Sequence, residues 1–299
     1  MLDFVIIGGG TAGLSSAVYA TRANKTALVI ERDSFGGQIV ESPAVENYPG
    51  IPKISGAQFA SDLFDQAERS GAQFAYETVL KIEPHDGYTT VVTDGGSYDA
   101  KAVIIAAGCK HRHLGVDGED ALIGSGVSYC ALCDGAFFKD KTVAVIGGGN
   151  AAFSDAMYLA DVARDVYLVH RRDTFRAENV IVERAKQLDN VRIITDAQVK
   201  ELIGTDELKA IALDVKGERR TLEVDGLFVA IGQQPDNYIF APVKLDDGGY
   251  ILTDEKCRTN IRGVYAVGDC RQKTVRQLTT AAADGAIAVA TALDLLYKM

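Results

Sequence analysis

A strand, a glycine-rich turn, a helix and a second strand occur twice in this chain, and that repeat restricts the fold more than any other feature. Residues 3–31 recur as residues 142–170. In the first copy Phe4-Val5-Ile6-Ile7 reads as a short buried strand, Gly8-Gly9-Gly10-Thr11-Ala12-Gly13 opens an Ala-rich helix to about Arg22, and Ala27-Leu28-Val29-Ile30 returns as a strand. In the second, residues 142–146 form the strand, Gly147-Gly148-Gly149-Asn150-Ala151-Ala152 the turn, and Val166-Tyr167-Leu168-Val169 the return.

Each turn has a physical purpose. Gly8 makes the bend, Gly10 lets backbone N–H groups approach a pyrophosphate, and Gly13 lets helix and strand pack closely. The positive end of the helix then favours the anion. The second turn repeats this with Gly147, Gly149, Asn150 and Ala151, and Ala152 takes the packing position. The two copies differ at the end of the second strand. Glu31 can accept hydrogen bonds from a ribose diol, which predicts a nucleotide without a 2'-phosphate. The other copy ends in His170-Arg171-Arg172, followed by Arg176, and guanidinium groups suit a 2'-phosphate. Two different dinucleotides are implied, and FAD with NADPH satisfies both. A turn without ligand, or arginines that merely line a solvated surface, are the competing readings.

Residues 102–108, ending at Gly108, and 226–232 are similar strand-to-glycine endings, each closing one nucleotide unit. The fold class is therefore α/β, with two Rossmann-like dinucleotide-binding domains, the second inserted into the first. The expected division is 1–112 and 243–299 for the FAD domain and 113–242 for the NADPH domain. Gly268-Asp269, after a short strand and ahead of the Ala-rich helix 279–296, suits a further anion-facing helix start.

A formal charge of -10 argues against nucleic acid and anionic membranes as partners. The N-terminus has no basic region before its apolar run, and no later apolar run is expected to reach the length of a membrane span. Five cysteines, only two of them close together, do not describe a secreted disulfide framework, so a reducing cytoplasm fits.

Cys130-Ala131-Leu132-Cys133-Asp134 has the spacing of a pair that closes a small disulfide reversibly, and the neighbouring Asp134 can move a proton to or from a thiolate. Zinc is the rival, with His111 and His113 as further ligands, although no second short-spaced pair exists. Two buried cysteines spaced by accident are a further alternative. Cys109, Cys257 and Cys270 read as small buried hydrophobes.

Along essentially its whole length the chain resembles the low-molecular-weight thioredoxin reductases. The resemblance rests on Gly8 to Gly13, Gly36-Gly37-Gln38, Glu46-Asn47-Tyr48-Pro49-Gly50, the CxxCD motif, Gly147 to Ala152, His170-Arg171-Arg172 with Phe175-Arg176-Ala177, and Val267-Gly268-Asp269 with Arg276-Gln277. It implies that Gln38 and Asn47 lie along the flavin, that Asp269 binds the ribityl chain, and that Gln277 opens a helix facing the pyrimidine end, with Arg276 beside it. It implies further that NADPH reduces the flavin, that the flavin opens the disulfide through Cys133, and that Cys130 attacks a thioredoxin-like partner with Asp134 as acid/base. A homodimer and a swinging inserted domain are also family properties. Thr11 stands where the family usually has Pro, Phe153-Ser154-Asp155 where it has Val-Glu-Glu, and Leu132 where Thr is commoner. The nearest alternative is a CxxC flavoprotein of the same fold that takes electrons from ferredoxin or acts as a dithiol oxidase. A flavin-binding sensor without turnover is a more distant one.

Overall fold

The computed structural model describes residues 1–298. The chain divides into two compact units, one made of Met1–Lys110 with Gln234–Met299 and the other of His111–Gln233. Elements are numbered in chain order.

In the first unit β1 (Leu2–Ile7), α1 (Thr11–Arg22), β2 (Ala27–Glu31), α2 (Gly56–Arg69) and β3 (Gln73–Tyr76) alternate, followed by β4 (Val79–Pro84), β5 (Thr89–Thr93) and β6 (Ser97–Ile105). The strand order is β3-β2-β1-β6-β5-β4. β1 runs parallel to both β2 and β6, with Phe4 opposite Ala27 on one side and Ala102 on the other. On the side away from β1, the nine residues of β6 serve two further partners. Its first half pairs antiparallel with β5, and its last residues pair parallel with the later strand β17 (Val264–Ala266).

Both faces of this sheet are covered, as continuous apolar strands require. Phe4, Ile6, Val29 and Ile104 pack with Leu14 and Ala17 of α1 and with Ala288 and Val289 of α6 (Leu278–Leu296). The alternate residues Val5, Ile7, Ile30 and Ile105 pack with Phe240, Val243 and Ile251. By length and composition α6 could cross a bilayer, which differs from the sequence expectation. Its small residues instead let it lie against α1, where a Cβ on Gly285 would come within 2.7 Å of Ala12 O.

Two short paired strands, β7 (Lys110–His111) and β16 (Gln233–Gln234), mark the crossings between units. Residues 234–242, expected in the inserted unit, belong to the first. Asn237 is buried there, its amide donating to Gly249 O at 2.9 Å and to Cys270 O at 2.8 Å.

The second unit contains β8 (Val127–Ser128), α3 (Ala131–Asp134), β9 (Thr142–Ile146), α4 (Asn150–Ala160), β10 (Asp165–Val169), α5 (Asn179–Lys186) and β11 (Val191–Ile194). With β15 (Gly226–Val229) the strands form a parallel sheet in the order β11-β10-β9-β15-β8. β12 (Ala197–Ile203), β13 (Ala210–Val215) and β14 (Glu218–Glu223) form an antiparallel meander. Val143 and Val145 pack with Phe153 and Leu159 of α4, whereas Ala144 and Ile146 pack with Ile211 and Leu213 of the meander.

Candidate active site

In the first unit the glycine turn joins β1 to α1. Gly8 has φ +107°, and a Cβ there would stand 2.4 Å from Ala106 O. A Cβ on Gly13 would meet Gly8 O at 1.9 Å, so Gly13 is a packing glycine. Gly10 differs, because nothing comes nearer than 3.8 Å to its added Cβ, and no side chain caps α1. The helix start therefore leaves an open cradle for an anion. Thr11 and Ala12 open α1 and are buried. Glu31 is held in place by the backbone. Its Oε2 accepts from Gly9 N at 2.8 Å, and its Oε1 from Arg32 N at 2.9 Å and Asp33 N at 3.0 Å. Oε1 has both lone pairs engaged by these bonds, and Oε2 retains one for a ribose hydroxyl.

Asp269 provides the sharpest test of a bound cofactor in this unit. Its Oδ1 is buried with no hydrogen-bond partner among the described residues, and burial raises its carboxyl above the ordinary range. A buried acceptor left unmatched by protein suits a ligand hydroxyl. Sequence reasoning missed the residue that holds this turn. Asp284, buried on α6, accepts from Gly268 N at 2.9 Å and Lys273 Nζ at 2.8 Å, and pairs with Arg271 at 3.1 Å. No local motif marks it, since its partners lie a full loop away. Arg276 lies over the Tyr250 ring at 4.2 Å and donates to Asp269 O. Gln277 caps α6 reciprocally with Thr280 and accepts from Asn47 Nδ2 at 3.2 Å, so two of the expected flavin residues meet. Gln38 donates to Cys109 O, while Gly108 has φ +65° and open space around it.

In the second unit Gly147 closes against Ala230 O, and the buried Ala152 supplies the packing Cβ. Gly149 is open, and no side chain caps α4, whose first residues are Asn150 and Ala151. Asn150 is committed to another residue: its Nδ2 donates to Glu178 Oε1 at 3.0 Å and its Oδ1 accepts from Glu178 N at 2.8 Å. Gly148 O accepts from Arg176 N at 2.8 Å, and the His170 ring fills the space a Cβ on Gly148 would need. These bonds fasten the arginine loop to the glycine turn. Burial lowers the pKa of His170. Arg171, Arg172 and Arg176 are exposed, and among the described residues no carboxylate pairs with them. They are available to an anion.

Cys130 and Cys133 are bonded, with Cα atoms 5.3 Å apart. Cys130 caps the single turn α3, its Sγ accepting from Cys133 N at 3.2 Å, and Leu132 is 51% exposed between the two cysteines. Joined to each other, the sulfurs are not presented as thiolate ligands for zinc. His111 and His113, the further ligands a zinc site would use, face Tyr129: His111 stacks on its ring at 4.9 Å and His113 Nδ1 lies 3.1 Å from its hydroxyl. Burial lowers the His111 pKa to about 4. Asp134 accepts from Ser128 Oγ at 2.6 Å, and burial raises its carboxyl. Cys109, Cys257 and Cys270 are buried outside any disulfide, and burial pushes their thiols up to about 12, 11 and 12.

Residues 2–285 match the family described as pyridine nucleotide-disulphide oxidoreductase. The chain belongs to that family. Among its relatives in the pyridine nucleotide-disulphide oxidoreductases is the thioredoxin reductase of Treponema pallidum (strain Nichols), 43% identical over 289 residues, 96% of this chain and 94% of that protein. The solved thioredoxin reductase from Streptococcus pyogenes MGAS5005 covers 100% of this chain and 99% of its own, with 42% identity and a TM-score of 0.96. A ferredoxin-flavin thioredoxin reductase from Clostridium acetobutylicum also matches, covering 100% of this chain and 99% of its own, at 31% identity and a TM-score of 0.55. This pyridine nucleotide-disulphide oxidoreductase is of the thioredoxin reductase type: an oxidoreductase acting on a sulfur group and using a flavin and a pyridine nucleotide.

Proposed function

We propose that the protein reduces the disulfide of thioredoxin or a thioredoxin-like protein, with NADPH as donor, FAD as resident flavin and Cys130–Cys133 as the exchanging disulfide. The observation that carries this reading is the bonded Cys130–Cys133 pair in the unit whose glycine turn is fastened to a loop bearing three arginines that, among the described residues, pair with no carboxylate. The FAD side consists of Gly8, Gly10, Thr11, Ala12, Gly13, Glu31, Gln38, Asn47, Gly108, Gly268, Asp269, Arg276 and Gln277. The NADPH side consists of Gly147, Gly149, Asn150, Ala151, Ala152, His170, Arg171, Arg172 and Arg176. FAD, when bound, supplies the passage of an electron pair from the nicotinamide to the disulfide. The protein's share is to cradle two pyrophosphates on helix starts, to read one ribose with Glu31, and to read a 2'-phosphate with guanidinium groups. It also presents two sulfurs beside an acid. Asp134 takes the thiol proton from Cys130 and returns it to the leaving sulfur of the partner. A cytoplasmic homodimer belongs to the same proposal and is tested by sedimentation.

The experiment is an anaerobic titration with NADPH and then NADH, following flavin bleaching, with thioredoxin and a disulfide reporter added. Bleaching by NADPH, with turnover lost in Cys130→Ser and Cys133→Ser, is expected. A flavin left oxidised by NADPH overturns the donor and points to ferredoxin.

A further inference from the structure

Ser128 lies two residues before the first cysteine and carries no motif, yet its single oxygen joins both halves of the redox turn. It is 4% exposed and sits on β8, with Phe228 of β15 opposite it in the parallel register, so its backbone is fixed by a sheet. Its hydroxyl donates to Asp134 Oδ2 at 2.6 Å, and the same oxygen accepts from Cys130 N at 3.1 Å. The first distance is that of a charge-assisted O–H···O⁻ bond. With Oδ2 taken, Oδ1 is the oxygen left to exchange a proton with sulfur.

We propose that Ser128 is a positioning residue for disulfide exchange: it fixes the Asp134 carboxylate relative to the backbone of Cys130. The inference rests on the reading of Asp134 as acid/base given above. In the step it serves, the Cys130 thiol gives its proton to Asp134. The Cys130 thiolate then attacks one sulfur of a protein disulfide, forming a mixed disulfide and breaking the partner's S–S bond. The released partner thiolate takes the proton back from Asp134. Cys133, as thiolate, next attacks Cys130 Sγ. The Cys130–Cys133 bond reforms and the partner's second sulfur leaves, taking up the proton that Cys133 gave to solvent. Two electrons and two protons pass from the enzyme dithiol to the partner disulfide. A carboxylate free to rotate about χ2 meets the sulfur only part of the time. Ser128 removes that freedom.

The test uses the full-length holoenzyme in four forms: wild type, Ser128→Ala, Asp134→Asn and the double variant. Two rates are measured for each. One is transfer from the pre-reduced enzyme to oxidised thioredoxin. The other is NADPH-driven reduction of ferricyanide, which draws on the flavin and bypasses the disulfide. Ser128→Ala is expected to lower the ratio of the first rate to the second roughly tenfold, a fraction of what a positioned acid/base contributes. Asp134→Asn lowers it at least as far, and the double variant no further than Asp134→Asn, because both changes remove one device. A Ser128→Ala ratio equal to wild type, beside a slow Asp134→Asn, overturns the proposal. So does a double variant with additive losses, or a Ser128→Ala protein whose two rates fall together. Wild-type transfer by Asp134→Asn would instead overturn the acid/base reading itself.

Discussion

The two glycine turns share one backbone plan and differ in what surrounds it. In the first, glycine is required at the packing position because the helix start rests on the carbonyl of Gly8. In the second, Ala152 fills the same place. Beside the first stands a carboxylate that three backbone N–H groups hold rigid. Beside the second stand guanidinium groups on an exposed loop that is held by backbone bonds and by Asn150 and Glu178. A cofactor that stays in place suits the first arrangement, and a substrate that arrives and leaves suits the second. A rigid acceptor in the one and mobile guanidinium groups in the other follow from which groups are tied down.

The largest effect should come from exchanging the packing residues. Gly13→Ala places a Cβ at 1.9 Å from Gly8 O, which should destabilise the fold by about 3 kcal/mol or more and release flavin. Ala152→Gly, at the matching place, should cost only about 1 kcal/mol. Urea unfolding followed by circular dichroism decides; equal costs would erase the distinction between the turns. Next comes the anion. Arg171→Ala with Arg172→Ala should reduce NADPH selectivity over NADH by roughly a hundredfold, through KM, since hydrogen bonds to charged groups contribute about 1.5–3 kcal/mol each. Flavin content should stay as it was.

A comparably placed pair of residues sharpens the contrast through pH. Ser16 of α1 donates to Ala12 O at 2.8 Å, whereas Asp155, at the matching place on α4, is raised by burial to about 6 with no compensating partner among the described residues. A carboxyl whose folded pKa lies above its unfolded value stabilises the fold below that unfolded value, and the contribution is lost as pH rises through about 6. Asp155→Asn should therefore match wild type below 3.8 and exceed it by about 3 kcal/mol well above 6. Thermal unfolding across that range reads it. The smallest effect is expected at the loop tie. Glu178→Ala should weaken NADPH binding about fivefold, the cost of an exposed hydrogen-bonded pair, with NADH nearly unaffected. A similar loss for both nucleotides would mean the tie serves the turn and not the arginines.

Which parts could be read from the chain follows from how far each signal extends along it. β1, α1, β9 and α6 fall within a residue or two of their expected bounds, because apolar runs, glycines and helix periodicity are local. Glu31 and the arginines were legible for the same reason: they end strands already identified. The hairpin β4–β5 and the meander β12–β14 carry mixed, partly exposed sequences and were not assigned. The second crossing falls at Gln234 because the buried amide of Asn237 draws residues 234–242 into the first unit, through partners many residues away. Asp284 and Ser128 were missed alike, since a buried carboxylate or hydroxyl becomes informative only when its neighbours are known. Asn150 was found for its place in the turn, and its side chain proved to be engaged with Glu178.

The three thiols pushed up to about 11 or 12 by burial bear on how the protein meets an oxidant or an alkylating drug. A sulfur reacts with such reagents as its anion, and at neutral pH these three are almost wholly protonated and shielded by packed backbone. Electrophiles are therefore left with the reduced Cys130–Cys133 turn as their target. The same turn that lets the protein hand on electrons also makes it vulnerable, so chemical damage would appear first as lost electron transfer and only later as lost structure.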